Sequence, residues 1–377
     1  MNKKIVIEGE CSTRYRALKD AFAENFESSG EVGAAIALVE NDELVVNLRA
    51  GLVAEDSPKT WQENTLVNVW SVTKGVTALC FAMLVERGKI AYSDRVSDYW
   101  PEFAAQGKGD VTISMVLSHE AGLCGFRKPA TMEDYYSIER SADYLAQMKP
   151  FWVPGEHYGY HAMTVGILAD AIMRRVDGRS LKQFVHEELH VALGLDIHIG
   201  LPSALSKRSA SIIPPPDGET VAVPGELTEV KTAVLENPPM LAAAANSNEW
   251  RAASIPSANG FCSAKALATL FGAAVASGEI NGKHLLGKEA LQLALTKEVQ
   301  GVDQVFDMEA RWANGFLLNT MNLYGPNLNT FGHSGFGGAI AFADPDRKIG
   351  FSYVMNRMSS APVGDPRTFP LLAAIYE

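Results

Sequence analysis

A serine and a lysine three residues apart, Ser71 and Lys74, are the pair in this chain best suited to covalent chemistry. They lie in residues 68–75, which lead into an apolar run over residues 76–85. If Ser71 begins a helix there, Lys74 lies one turn further along the same face and can reach the hydroxyl. A serine attacks only when a base takes its proton, and burial favours the neutral amine that can do so. The spacing therefore predicts a nucleophile beside its base.

The residues that follow predict that this helix is enclosed by protein. Apolar side chains cover more than one of its faces, and Gly88 is a typical end signal. Ser71 is the only serine in the sequence with a lysine three places later. Because so short a motif also fits a surface serine and lysine near a helix start, the rest of the chain must decide.

The elements around this pair suggest two lobes. Residues 13–26 have the periodicity of an amphipathic helix, and β-prone runs at 34–39 and 43–48 flank an Asn-Asp turn. Residues 90–154 change to short helices and loops, which predicts a separate, mostly helical lobe. Ser71 would then lie where the lobes meet, the usual position of a ligand cleft.

Tyr160 precedes a second apolar helix that ends near Gly178. A tyrosine at this position could line the cleft. The alternative is a buried ring whose hydroxyl is satisfied by hydrogen bonding. The residue alone does not choose between them.

A zinc-protease signature, His-Glu-Glu-Leu-His, occupies residues 186–190. Its helix has a capping box at Ser180 and Gln183. A zinc site needs His186 and His190 on one inward face and a third ligand from elsewhere. A helical wheel places both histidines on the solvent side, and no third ligand is obvious. The sequence therefore predicts no metal and no cofactor, and a zinc hydrolase using His186 and His190 stays as an alternative.

The second half of the chain alternates irregular and regular stretches. Residues 201–256 are broken by prolines, and a segment of that length is typically functional, so we expect it to shape a substrate pocket. Residues 263–277 predict an amphipathic helix. Residues 332–338 are rich in glycine, and two apolar strands follow about a turn at 344–346; a phosphate loop is disfavoured because no helix follows these glycines. Residues 370–376 predict a C-terminal helix.

Composition excludes several other classes of protein. The 377 residues are 47% hydrophobic and 20% charged, with a formal net charge of −11 and no basic stripe, so a nucleic-acid partner is not expected. The four cysteines have no metal or redox spacing, which favours reduced thiols. No segment has the length of a membrane span or a signal-peptide core. We expect a cytoplasmic protein with no membrane partner, and the oligomeric state is left open.

Three motifs, taken in the order in which they occur along the chain, resemble those of the serine β-lactamase and penicillin-binding protein superfamily. They are Ser71-Val72-Thr73-Lys74, then Tyr160 with Ala162, then His333-Ser334-Gly335. The sequence around Ser118-His119-Glu120 and Asn259-Gly260-Phe261 resembles the class C branch of this superfamily, and especially the family VIII carboxylesterases. The likeness runs from about residue 17 to 356.

The resemblance implies an α+β fold of the β-lactamase/transpeptidase type, in which helices flank an antiparallel sheet. An α/β lobe of about residues 1–75 and 185–377 would carry an inserted all-helical lobe of about 76–184. Ser71 would be the nucleophile, Lys74 its base and Tyr160 the proton carrier for the leaving group. The N–H groups of Ser71 and Phe336 would form the oxyanion hole.

The same resemblance implies a substrate-binding edge made of His333, Ser334, Gly335 and Ala162. Two of these depart from the lactamase pattern, since Ala162 replaces an asparagine and His333 replaces a lysine. Both changes remove groups that lactamases offer to a β-lactam. We therefore expect a serine carboxylesterase acting on small-molecule esters with short acyl chains. A β-lactamase, a DD-peptidase-like amidase and a non-catalytic binding module are the alternatives.

Overall fold

The computed structural model describes residues 5–216, 218, 220, 225–296, 298–361 and 364–377. Its strands are β1 (Glu8–Cys11), β2 (Gly33–Glu40), β3 (Glu43–Gly51), β4 (Val67–Asn68), β5 (Ile197–Ile199), β6 (Gly260–Cys262), β7 (Glu279–Ile280), β8 (Lys283–His284), β9 (Val299–Val302), β10 (Glu309–Trp312), β11 (Leu317–Leu318), β12 (Phe331–Ser334), β13 (Ile340–Asp344) and β14 (Ile349–Met355).

The α-helices are α1 (Arg16–Ser28), α2 (Val72–Glu86), α3 (Val96–Tyr99), α4 (Ile113–Leu117), α5 (Met132–Tyr136), α6 (Ile138–Gln147), α7 (Thr164–Val176), α8 (Leu181–Phe184), α9 (Glu229–Leu235), α10 (Asn248–Ala252), α11 (Ala264–Val275), α12 (Lys288–Ala294) and α13 (Thr368–Tyr376). Short 3₁₀ segments lie at Thr13–Tyr15, Pro101–Gly107, Ser203–Arg208 and Ala242–Asn246, and Val185–Ala192 forms a π-helix.

A nine-stranded antiparallel sheet forms the centre of the fold, in the order β1-β3-β2-β14-β13-β12-β11-β10-β9. Its predicted hairpin is confirmed: β2 and β3 meet at Asn41 and Asp42, which both have positive φ. Asparagine and aspartate tolerate this left-handed backbone better than most residues. The second predicted hairpin is confirmed as β13 and β14.

A separate three-stranded sheet, β4-β6-β5, leads directly into the helix of the Ser-Lys pair. Val67 pairs with Cys262, and Asn68 pairs with Phe261. The side-chain amide of Asn68 donates to the carbonyl of Ala258 at 3.3 Å, and its oxygen accepts from the Trp250 indole at 2.9 Å. These buried contacts fix the start of α2.

Between β4 and β5 the regular elements are helical, as the sequence predicts. The apolar helix after Ser71 is confirmed as α2, which is buried from Val72 to Leu84. Gly88 has a φ of 63° and lies just after the end of α2. The proposed boundary near residue 75 falls inside α2, so the division into two lobes stays a prediction.

Residues 201–256 are less irregular than the prolines suggest. The described part contains α9, α10 and two 3₁₀ segments, which sequence analysis missed. The residues before α9 and α10 are Thr228 and Ser247, and each side chain accepts from the backbone N–H three residues further along, at Lys231 and Trp250. Each has only a few residues, too short for periodicity to reveal it.

The described cysteines are all free thiols, and three of the four are buried. Within the described ranges, no helix combines the length and apolar character needed to cross a membrane. The cytoplasmic location stays a prediction.

Candidate active site

Ser71 is the residue immediately before α2, where the chain leaves the small sheet. The N–H of Val69 donates to the carbonyl of Gly260 at 2.8 Å, and the N–H of Gly260 donates to the Thr73 hydroxyl at 2.8 Å. Gly260 must be glycine because a Cβ there would lie 2.5 Å from Oγ1 of Thr73. The segment that carries Ser71 is therefore held from both sides of the turn.

Trp70, directly before the nucleophile, has a φ of 49°, which is unfavourable for a large side chain. Its ring packs at 5.2 Å from Trp250 and 5.4 Å from Phe336, measured between ring centroids. A strained backbone persists only where its surroundings impose it, and such positions are common at active sites. This packing supplies that constraint beside Ser71.

The amine of Lys74 has three polar neighbours. Nζ lies 3.0 Å from Oγ of Ser71, 2.7 Å from the carbonyl oxygen of Ala162 and 2.9 Å from that of Ser257. Lys74 is buried, and this desolvation holds the pKa of its amine well below the ordinary value. No carboxylate contributes to the shift.

These contacts match the bonding capacity of a neutral amine. A neutral amine has two N–H groups and one lone pair, and the carbonyls of Ala162 and Ser257 can only accept. When both N–H groups serve the carbonyls, the lone pair is left for the hydroxyl hydrogen of Ser71. Lys74 is thus arranged to take the proton of Ser71.

Tyr160 completes the group predicted from sequence. Its hydroxyl faces the Ser71 side chain, and its ring centroid lies 4.7 Å from Nζ of Lys74. Burial raises the pKa of Tyr160 above its ordinary value, so its resting form is the neutral phenol. The structure places Ser71, Lys74 and Tyr160 together.

Asp303 is a residue of this site that sequence analysis missed. It is buried, and its carboxylate accepts from the N–H groups of Val305 at 2.8 Å and Phe306 at 3.0 Å. The ring of Phe306 packs against that of Tyr160, with the centroids 5.5 Å apart. Burial raises the pKa of Asp303 to about 6, against the lowering effect of these N–H donors. The carboxylate therefore fixes the turn that carries Phe306, which packs against Tyr160.

His333 lies at the edge strand β12 and is buried as a neutral imidazole. Burial lowers the pKa of His333 to about 3. Its Nδ1 donates to the carbonyl of Ser334 at 2.7 Å, and Nε2 has no partner among the described residues. Unlike a lysine at this position, His333 offers no positive charge at neutral pH.

The turn after β12 approaches the nucleophile closely. A Cβ on Gly335 would lie 2.4 Å from the carbonyl oxygen of Val69, so only glycine fits there. The N–H of Gly335 donates to Ala339 at 2.6 Å, whereas the N–H groups of Ser71 and Phe336 have no backbone acceptor in the described ranges. Their role as an oxyanion hole stays a prediction.

A cavity of about 180 Å³ opens beside Ser71. Its wall includes Tyr160, Ala162, His333, Ser334 and Gly335, which the sequence assigned to the site. Most of the rest is apolar, contributed by Trp70, Met163, Val234, Leu235, Met240, Phe306, Met308, Trp312, Leu317 and Phe336. Val234, Leu235 and Met240 belong to residues 201–256, as expected.

The two histidines of the zinc-protease signature lie elsewhere, and neither lines this cavity. His186 is exposed, as expected, whereas His190 is half-buried. The helical wheel assumed an α-helix, whereas Val185–Ala192 is a π-helix, and His190 packs its ring 4.4 Å from that of His198. A third histidine, His198, lies close to both, and one ring nitrogen from each of the three lies within 4.8 Å of the other two.

A nucleophilic serine on a helix, a buried lysine base and an antiparallel edge strand define a class of serine acyl-transfer enzymes. The Beta-lactamase family model matches residues 18–374, and the chain belongs to this family. Its α+β fold of the β-lactamase/transpeptidase type is thereby confirmed.

Individual relatives narrow the comparison. The chain is 32% identical over 365 residues to the Esterase/beta-lactamase LipL of Mycobacterium tuberculosis, covering 93% of this chain and 83% of that protein. It matches the crystal structure of a family VIII carboxylesterase with a TM-score of 0.93 and 38% identity over 98% of this chain and 99% of the other. A penicillin-binding protein homologue from Caulobacter crescentus matches with a TM-score of 0.91 and 39% identity, covering 98% of this chain and 99% of that one.

Proposed function

We propose that this protein is a serine carboxylesterase that hydrolyses small esters with short acyl chains through an acyl-enzyme on Ser71. The contact between Lys74 and Ser71 carries this proposal. The amine is desolvated, both of its N–H groups have carbonyl acceptors, and its lone pair meets the Ser71 hydroxyl at 3.0 Å. Relatives named as esterases, including LipL and the family VIII carboxylesterase, support the same class of reaction.

The first step is attack of Oγ of Ser71 on the ester carbonyl while Nζ of Lys74 takes the hydroxyl proton. Negative charge then develops on the carbonyl oxygen. The N–H groups of Ser71 and Phe336 stabilise it, and each such donor contributes about 3 to 4 kcal/mol in comparable oxyanion holes. Neither N–H group has a backbone acceptor among the described residues, so neither loses a hydrogen bond when the substrate oxygen binds.

The second step is departure of the alcohol, which needs a proton. Tyr160 faces Ser71 and remains a neutral phenol, so it can pass its proton to the alcohol and recover one from Lys74. Water then attacks the acyl group on Ser71, and the same residues carry its proton in reverse. The products are a carboxylic acid and free enzyme.

The cavity favours small esters over β-lactams. Its volume of about 180 Å³ is below the roughly 300 to 1,000 Å³ of drug-sized pockets, and its wall is mostly apolar. The side chain of Ala162 has no amide to offer, and His333 is neutral. A β-lactam would therefore lack partners for its own amide and carboxylate.

Labelling with a fluorophosphonate probe tests the nucleophile directly. We expect modification of the wild-type protein on the tryptic peptide that contains Ser71, with loss of hydrolysis of p-nitrophenyl butyrate. The Ser71→Ala variant should be folded, unlabelled and inactive. Ser277→Ala is the matched control, because Ser277 is exposed and does not line the cavity, and it should behave as wild type.

Wild-type activity in Ser71→Ala would refute the serine mechanism. A folded wild-type protein that neither reacts with the probe nor hydrolyses any member of a panel of p-nitrophenyl esters would instead favour a binding module. Chain lengths from acetate to octanoate in that panel define the acyl preference.

A further inference from the structure

Three imidazole rings converge at one end of the small sheet, outside the Ser71 cavity. His186 and His190 are carried by the π-helix Val185–Ala192, and His198 is the central residue of β5. One ring nitrogen from each lies within 4.8 Å of the other two. Ring centroids are 5.4 Å apart for His186 and His190, and 4.4 Å for His190 and His198.

We propose that His186, His190 and His198 form a binding site for a divalent zinc ion that has no part in ester hydrolysis. Imidazole nitrogen is a preferred ligand of zinc, and three protein ligands with water in the fourth position complete its tetrahedral coordination.

His198 provides the strongest local indication of a missing ligand. The residue is 3% exposed, and its Nε2 has no hydrogen-bond partner among the described residues. The nearest carboxylate oxygen, Oδ1 of Asp196, is 3.9 Å away, beyond hydrogen-bonding distance. A buried polar atom without a partner is costly, and a bound ion would remove that cost.

His190 is held in an orientation that suits a ligand. Its Nδ1 lies 2.9 Å from the carbonyl oxygen of Leu195. Because a carbonyl can only accept, Nδ1 carries the hydrogen and Nε2 keeps its lone pair. Metal-binding histidines typically donate their second nitrogen in this manner, which fixes the ring.

The three histidine nitrogens need to move only a short distance to reach the spacing of a tetrahedral zinc site. Zinc–nitrogen bonds of about 2.0 to 2.1 Å in a tetrahedron place two ligand nitrogens roughly 3.3 Å apart. The nitrogens of the three rings are at most 4.8 Å apart. His186 is exposed and can rotate about its side-chain bonds to close this difference.

The surrounding charges distinguish this site from a zinc hydrolase. Glu187, which would act as the base in the zinc-protease signature, pairs with Arg179 at 2.8 Å. Asp196, the carboxylate nearest His198, is paired with Arg208. Since none of the three histidines lines the Ser71 cavity, we assign the ion a stabilising role.

The site is connected to the nucleophile segment through the small sheet. His198 pairs with Phe261 of β6, and Phe261 pairs with Asn68 of β4, three residues before Ser71. Zinc would tie the π-helix to β5 at the far edge of this sheet. We therefore expect zinc to raise the melting temperature and to leave the ester rate unchanged.

Calorimetric titration of untagged protein with zinc chloride, after treatment with EDTA and removal of the chelator, tests the proposal. We expect one zinc per chain and a melting temperature about 3 °C higher at a hundredfold excess over Kd. His186→Gln and His190→Gln should each weaken binding at least about tenfold. The matched controls are His157→Gln and His284→Gln, exposed histidines outside the cluster, which should bind zinc as wild type does.

His186 is exposed, so its variant is expected to fold and remains informative even if changes at His198 destabilise the chain. No saturable zinc binding, or binding unaffected by both His186→Gln and His190→Gln, would overturn the proposal. Loss of ester hydrolysis on EDTA treatment, restored by zinc, would overturn the separation of this site from catalysis.

Discussion

Nζ of Lys74 lies 3.0 Å from Oγ of Ser71, and its two other hydrogen-bonding neighbours are backbone carbonyl oxygens. The base is therefore oriented by main chain, from Ala162 and Ser257, and not by an acidic side chain. Without a carboxylate to stabilise the ammonium, burial dominates, and the pKa of Lys74 falls. This relationship underlies the first two predictions below.

Lys74→Met and Tyr160→Phe should each lower kcat/KM for p-nitrophenyl butyrate by about a hundredfold or more, because both remove a proton carrier. The double variant should lose little beyond the worse single variant, since the residues act as one unit. Lys288→Met, at an exposed lysine, is the control and should keep wild-type kinetics. Losses that multiply fully in the double variant would contradict a shared proton path.

The pH dependence of kcat/KM should show an acid limb that belongs to Lys74. Protonation removes the lone pair needed by Ser71, so activity rises with pH as the amine loses its proton, well below the ordinary lysine range. His333→Asn should leave the position of this limb unchanged, because His333 is already neutral above a pKa of about 3. A limb that moves by more than half a pH unit in His333→Asn would assign the titration to the histidine instead.

The substrate class is tested by nitrocefin and p-nitrophenyl butyrate on one enzyme preparation. Ala162 and the neutral His333 each omit a polar contact, and a charge-assisted contact felt in the transition state is worth about 1.5 to 3 kcal/mol, or roughly one to two decades of rate. We expect kcat/KM for nitrocefin to be well below that for the ester. Equal or higher efficiency on nitrocefin would establish a β-lactamase.

Asp303→Asn should alter stability in a pH-dependent manner. Burial raises the pKa of Asp303 to about 6 from an ordinary 3.8, so the folded protein holds a proton that the unfolded chain releases between these values. The contribution of Asp303 to the free energy of unfolding of the wild-type protein is highest below about pH 4 and falls as the pH rises to 6. Between pH 4 and pH 7, the free energy of unfolding of the variant should therefore rise relative to that of wild type by up to about 3 kcal/mol.

Urea unfolding of both proteins at pH 4 and pH 7 measures that difference. Asp303→Asn should also lower the ester rate, because the amide replaces the charged acceptor that fixes Phe306 against Tyr160. A difference in unfolding free energy that is the same at both pH values would show that Asp303 does not titrate in this range.

Sequence reasoning located the part of the site that depends on local spacing. Ser71 and Lys74 are one helical turn apart, so their contact follows from α2 alone, and the Asn41-Asp42 hairpin follows equally from local backbone preferences. The contacts made by Ala162, Ser257 and Asp303 depend on how distant segments fold together. Backbone carbonyls carry no side-chain signal, so no motif could reveal the acceptors of Lys74.

The histidine cluster shows a second limit of prediction from sequence. The helical wheel advanced His186 and His190 by α-helical steps, whereas the chain adopts a π-helix at Val185–Ala192, and this changes the direction of His190. Gly194, with a φ of 76°, then reverses the chain toward β5 and returns His198 to the same place. A scan for histidines within ten residues after the signature would have found His198.

Residue 162 contributes two separate things to this enzyme. Its carbonyl oxygen holds the amine of Lys74 at 2.7 Å, while its side chain forms part of the cavity wall. Every amino acid has that carbonyl, so mutation here can change which molecule is accepted and leave the base in place. Substrate choice and reaction chemistry can therefore evolve independently at this position, and one codon change is enough to explore a new substrate.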